Sequence, residues 1–315
     1  MKMKQNIWKV LLAAAVILAI TACGNKKNSQ EADTGQEGDI GESGDQDSKD
    51  EQWETKEGKI EIQVFAAASL SKAIEELALA YQQLHPQVSI VCNMDSSGTL
   101  VTQIREGYAC DVFFSAAEKQ MDQLEAEGRI VEGTRSNVVH NQVVVIAAKD
   151  SGTEVKGLKN FGDASSIALA GGSVPVGWYT RQALMNLGIL EKTEEPSQAE
   201  TIQISQALGG VEISEQDNVS KVTLAVAEGS CEVGTVYYSD IYGYEDRLDI
   251  LEKVSYDLSG EVRYPAAQVV NPEADEKQAA VARDFITFLS SDTTKEIFEK
   301  YYFDPDVAET NLKSF

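Results

Sequence analysis

Histidine and positive charge are scarce in this chain. Only two of its 315 residues are histidine, and 27 Lys and Arg stand against 51 Asp and Glu. His85 sits beside Pro86 and His140 precedes an apolar strand; neither shares a motif with a serine or cysteine nucleophile, and no histidine-rich metal spacing occurs. There is no Gly-x-Ser-x-Gly elbow and no phosphate-binding P-loop. These absences argue against an enzyme. The acidic excess argues against nucleic acid or an anionic membrane face as a partner, because both repel a negatively charged surface. Cys92, Cys110 and Cys231 are widely spaced and odd in number, so they form no zinc pattern and no disulfide framework. They read as small buried hydrophobes, with oxidation of one pair left open.

The fourth cysteine is different. Lys2 and Lys4 precede an apolar run from Val10 to Ile20, followed by Thr21, Ala22, Cys23 and Gly24. That is the layout of a secretion signal ending in a lipoprotein cleavage box, and the run is short for a membrane span. It predicts a lipid anchor on Cys23 and a protein held at the extracytoplasmic face of the cell membrane. From Gly24 to Glu57 the chain is polar, acidic and nearly free of large apolar residues, which predicts a disordered linker. A flexible chain of that length would span about 30 Å between its ends.

Beyond residue 58 enough chain remains for two modest domains. Apolar alternation marks strands at Ile60–Phe65, Val88–Cys92, Val112–Ser115, Val143–Ala147, Ile167–Ala170, Val233–Tyr238 and Ala266–Val270. Between several of them helical periodicity takes over, as in the stripe Leu70, Ile74, Leu77, Tyr81 and Leu84 ahead of Pro86. Strands alternating with helices predict an α/β fold with mostly parallel sheets, in which ligands lie beyond the carboxyl ends of the strands.

Four such junctions carry small or hydroxyl residues at a helix start: Ser69, Ser97, the turn from Val174 to Tyr179, and the turn from Asp217 to Val219. A helix start offers unpaired N–H groups and about half a positive charge, so it can hold an anion without a lysine or arginine. Taken singly, each is accounted for by helix capping or a first-turn proline, and Tyr237 by a core aromatic.

Their order along the chain, however, resembles one family. VFAAASL (64 to 70), SSGTLVTQIREG (96 to 107), DVFFSA (111 to 116), VPVGWYTRQAL (174 to 184), DNVSKVTLAVAEG (217 to 229), VGTVYYSD (233 to 240) and YPAAQVV (264 to 270) are similar to the periplasmic molybdate-binding proteins of ABC importers. The resemblance implies a two-lobed periplasmic-binding-protein (type II) fold, with an oxyanion held in the cleft by hydroxyls and backbone N–H groups. Carried over position by position, the binding residues would be Ser69, Ser97, Val176, Val219 and Tyr237. The ligand would be molybdate or tungstate, with no cofactor and with no metal other than the molybdenum of that anion. The partners would be an ABC permease and its ATPase, and the protein a monomer touching the membrane only through its lipid. Another tetrahedral oxyanion such as sulfate is the alternative ligand.

Three positions depart from the family pattern: Gly98 replaces a serine, Val176 an alanine, and Ala109–Cys110 a Pro-Ala pair. Molybdate and tungstate are dianions without protons near neutral pH, so they need donors and are repelled by carboxylates. Asp95 and Asp217 are therefore expected to face away, as helix caps. One lobe is expected over 58–141 and 266–315 and the other over 142–265, with hinges near Val143 and near Pro265 to Val270.

Overall fold

The structure, a computed structural model, describes residues 58–306. The signal segment with Cys23, the acidic linker and residues 307–315 lie outside the described residues. The first run of elements is β1 (Ile60–Ala67), α1 (Ser71–Leu84), β2 (Val88–Asp95), α2 (Ser97–Arg105), β3 (Val112–Phe114), α3 (Glu118–Ala126) and β4 (Ser136–Asn141). After Gln142 come β5 (Val143–Ala148), β6 (Ser166–Ala170), α4 (Pro175–Asn186), α5 (Thr201–Ala207), β7 (Glu212–Gln216), α6 (Val219–Ala227), β8 (Val233–Tyr237), β9 (Leu248–Lys253) and α7 (Tyr256–Ser259). The chain then returns through β10 (Val262–Gln268) to α8 (Glu276–Leu289) and α9 (Asp292–Lys300).

Two five-stranded sheets result, ordered β2-β1-β3-β10-β4 and β7-β6-β8-β5-β9. In each, three neighbouring strands pair in parallel, as βαβ crossovers require. The expected mostly parallel pairing gives way to mixed sheets, because β10 pairs antiparallel with β3 and β4, and β5 with β8 and β9. The strands that run against the rest are those by which the chain enters the second sheet and re-enters the first. The return comes earlier than expected: β10 is paired with the first sheet from Val262 onward, so the segment between the sheets lies between Lys253 and Val262.

Strand parity sorts the core. Val64, Ala66, Val112 and Phe114 belong to the large apolar cluster that also holds Ile74 and Leu77 of α1 and Phe285 of α8. Phe65 and Phe113, one residue out of step, meet Leu100 and Ile104 of α2 and Leu124 of α3 on the opposite face. The apolar stripe of α1 is buried at Ile74, Leu77 and Tyr81, whereas Leu84, the last residue of the helix, is exposed. Strands β4, β7 and β9 were not legible from alternation. β7 reads EISEQ and β9 LDILEK, half-exposed strands beyond the central apolar ones of their sheet. Cys92, Cys110 and Cys231 are free thiols.

Candidate functional site

The alanines before Ser69 end β1 in buried, extended backbone, and a 3-10 turn, Ala68–Leu70, intervenes before α1 begins. Ser69 thus lies within a tight turn and does not cap α1. Its hydroxyl is 2.8 Å from that of Tyr264 on β10. At the next junction the paired serines divide their roles. Ser96 is the N-cap of α2, accepting from the Thr99 N–H at 3.2 Å. That leaves Ser97, the first helical residue and fully buried, to accept from the Ala116 N–H at 3.0 Å. Its own proton is free to donate.

The second sheet contributes backbone. Val176 is the second residue of α4, after Pro175, and Val219 is the first of α6, so neither N–H has an acceptor within its helix. Both side chains are buried. Asn218 caps α6, accepting from Lys221 N–H at 3.0 Å. The expectation that Asp217 caps a helix therefore fails: its carboxylate sits on the surface, 2.6 Å from Lys221. Asp95 is not a cap either; it accepts from the Ser96 N–H at 2.7 Å and faces Asn218 at 3.5 Å.

Tyr237 ends β8. Its ring centroid lies 5.8 Å from that of Tyr264 and 6.5 Å from that of Tyr179, and its hydroxyl is buried without a hydrogen-bond partner among the described residues. Burial, reinforced by Tyr264, Tyr179 and Asp240, pushes its pKa well above the usual phenol value, so the group stays protonated and able to donate.

Several of these pieces touch across the seam between the two sheets. Tyr264 touches both Ser69 and Tyr237, and α6 packs on the turn holding Ser69. The α2 start meets the turn before α4 so closely that a Cβ on Gly98 would fall 2.6 Å from the Ser173 carbonyl oxygen. Gly98 thus supplies room for close backbone approach. The five predicted positions offer three hydroxyls and two backbone N–H groups, all neutral and all on buried residues.

Sequence reasoning missed two ionisable groups beside this seam. Arg181 is almost wholly buried, forms no ion pair among the described residues, and donates to the carbonyls of Ala170, Gly177 and Ala199, bracing the turn that presents Val176. Burial lowers its pKa to about 10, with Glu215 acting in the opposite sense. Asp240 lines a cavity of about 170 Å³ with Ser69, Ser220 and Thr223, and accepts from the Tyr237 N–H at 2.9 Å. Burial raises its pKa to about 7, opposed by that N–H and by Lys72. A larger groove, about 670 Å³ beside Tyr108, Arg129 and Val270, contains none of the predicted residues. Among the described residues no cluster of His, Cys, Asp and Glu could hold a metal ion.

Two mixed α/β sheets joined by two crossings make an architecture shared with the periplasmic binding proteins. The chain belongs to the bacterial extracellular solute-binding protein family, whose model matches residues 62–304. It is 31% identical over 259 residues to the molybdate-binding protein ModA of Escherichia coli, covering 78% of this chain and 89% of that protein. It is 30% identical over 248 residues to a Bacillus subtilis protein named as an ABC transporter substrate-binding lipoprotein, YvgL, covering 78% and 87%. Among solved structures, a Clostridium difficile domain described as the substrate-binding domain of a molybdenum ABC transporter aligns with TM-score 0.56 and 29% identity, over 78% of this chain and 98% of that one. The periplasmic molybdate-binding protein of Azotobacter vinelandii shares the fold, with TM-score 0.63, 21% identity and coverage of 77% and 98%.

Proposed function

We propose that this protein captures molybdate, and tungstate with it, between its two sheets and delivers it to an ABC permease driven by its ATPase. Ser69, Ser97 and Tyr237 would donate through hydroxyls, and Val176 and Val219 through backbone N–H groups. The lobes would comprise 58–141 with the return from Val262 onward, and the segment between them, closing on the anion as a monomer. Lipidation of Cys23 would tether it outside the cell membrane, a reading in keeping with the lipoprotein naming of the Bacillus subtilis relative.

The observation that carries this reading is the Tyr237 hydroxyl, buried and without a partner beside Tyr264 and Ser69. A buried donor left unsatisfied costs about 1–3 kcal/mol, and a bound oxyanion would remove that cost. Hydrogen bonds to a charged acceptor are each worth about 1.5–3 kcal/mol net, so five converging donors suffice for tight binding in a dry site. All five are neutral and none can accept a proton at neutral pH, which suits a fully deprotonated dianion.

Calorimetric titration of the purified protein with molybdate, tungstate, sulfate and phosphate tests the proposal. Strong binding of the first two is expected, with little or none of phosphate. Preference for sulfate would reassign the ligand, and silence toward all four anions would end the oxyanion reading.

A further inference from the structure

The Ser69 hydroxyl sits at the end of a hydrogen-bonded chain whose proton directions can be counted. Asn141, the last residue of β4 before the chain crosses to the second sheet, has its amide orientation fixed by two backbone donors. Its Oδ1 accepts from the Gln142 N–H at 2.9 Å and the Ser239 N–H at 3.4 Å. Its Nδ2 therefore points the other way, donating to Ser239 Oγ at 2.8 Å and to Tyr264 Oη at 3.2 Å. Tyr264 Oη thus already accepts a hydrogen bond, and the one hydroxyl in reach of its own proton among the described residues is Ser69 Oγ at 2.8 Å, where either oxygen can donate. Tyr264 is fully buried, and burial together with the nearby Asp240 keeps its phenol protonated. With Asn141 donating to Tyr264, the Tyr264 proton can be turned to Ser69, which leaves the Ser69 proton over.

We propose that Tyr264 is a positioning residue for anion capture: relayed from Asn141, it fills a lone pair of Ser69 and leaves the serine proton as a donor for the oxyanion. This rests on the reading of the protein as an oxyanion binder. Without the relay, a serine hydroxyl in the Ala68–Leu70 turn could rotate to spend its proton elsewhere. With it, the donor is aimed before the anion arrives, so little orientational freedom is lost on binding. The relay also starts at the crossing between the sheets, because Asn141 bonds both Tyr264 of the first sheet and Ser239, just beyond β8 of the second. Setting the serine donor is thereby tied to the relative placement of the two sheets.

The experiment is a double-mutant cycle on molybdate affinity with the wild type, Tyr264→Phe, Ser69→Ala and the double variant, alongside thermal unfolding of each apo protein. Tyr264→Phe should weaken binding about tenfold, in the range of one hydrogen bond to a charged group. In the Ser69→Ala background the same substitution should change affinity by less than about twofold, because the group it acts through is gone. Equal losses in both backgrounds, which would make the Tyr264 hydroxyl act independently of Ser69, or no loss in the single variant, which would leave Tyr264 a packing residue, would each overturn the proposal. If Tyr264→Phe proves unfolded at the titration temperature, Asn141→Ser, which removes the donor to Tyr264, takes its place in the cycle with the same two criteria. A wild type that binds none of the four anions would sink the functional reading instead, a result distinct from either.

Discussion

The two sides of the seam offer donors of different kinds. The first sheet presents serine hydroxyls, Ser69 and Ser97, each already engaged with a neighbour, Tyr264 in one case and the Ala116 N–H in the other. The second sheet presents N–H groups of helix starts at Val176 and Val219, together with a tyrosine hydroxyl that has no partner. A hydroxyl that must both accept and donate can be aimed by its neighbour; an N–H is aimed only by its helix. On the proposed reading, specificity would depend on side chains on the first side, and on the second on Tyr237 together with backbone held by Asn218, Pro175 and Arg181.

The sharpest way to break this comparison is on the hydroxyl side. Ser97→Ala should weaken molybdate binding about tenfold to a hundredfold, since it deletes a charge-assisted donor. It also leaves the buried Ala116 N–H without its acceptor, which should cost about 1–3 kcal/mol of stability, read from denaturant unfolding of the apo protein. Unchanged affinity would mean that Ser97 is a structural acceptor only.

Closure comes next in size. Gly98→Ala places a Cβ 2.6 Å from the Ser173 carbonyl, so the α2 and α4 ends must separate by several tenths of an ångström. Affinity should drop about tenfold, and in the apo protein the clash with a backbone carbonyl should offset the up to about 1 kcal/mol by which alanine favours a helix over glycine. If titration shows no loss, the close approach of the two turns is not part of binding.

The asymmetry also explains what could be read from sequence. Ser69, Ser97 and Tyr237 announce donors by residue type, and small residues before Ser69 mark a strand ending in a turn. Val176 and Val219 announce nothing by type, because the group that matters is in the backbone; only position along a recognised pattern singles them out. Ser96 and Ser97 look alike in sequence, and only the bond from Thr99 N–H to Ser96 shows which one caps the helix. Tyr264, Asn141 and Asp240 gain their significance from packing between segments far apart in the chain, and the cost of burying Arg181 shows only once its surroundings are built. Alternation revealed the central buried strands and missed β7 and β9, where acidic residues break the apolar pattern.

A smaller effect should come from pH. Asp240 has its pKa raised to about 7 by burial, against an ordinary value of 3.8. Between those values the folded protein binds a proton that the unfolded chain does not. Stability from this group is thus full below about pH 4 and is lost as pH rises to about 7. Above that, a partly buried carboxylate lines the cavity beside Ser69, repelling a dianion against the opposing charge of Lys72. Molybdate affinity should fall severalfold from pH 6 to pH 8, with proton uptake on binding near pH 7 that shows as a dependence of the heat on buffer. Asp240→Asn, which can still accept from the Tyr237 N–H, should flatten both profiles; an unchanged pH dependence in that variant would clear Asp240 of the effect.

The smallest effect is expected where the backbone acts alone. Val176 is fully buried at the second position of α4, and only its N–H is proposed to meet the anion. Val176→Ala keeps that N–H and removes two methyl groups from a packed site, so it should cost about 1–2 kcal/mol of stability. Molybdate affinity should nevertheless stay within about threefold of wild type. The two readouts separate the roles: stability reports the side chain, titration reports the N–H. A loss of affinity comparable to that of Ser97→Ala would show that the valine side chain shapes the pocket, and the contrast between a side-chain jaw and a backbone jaw would fail at this position.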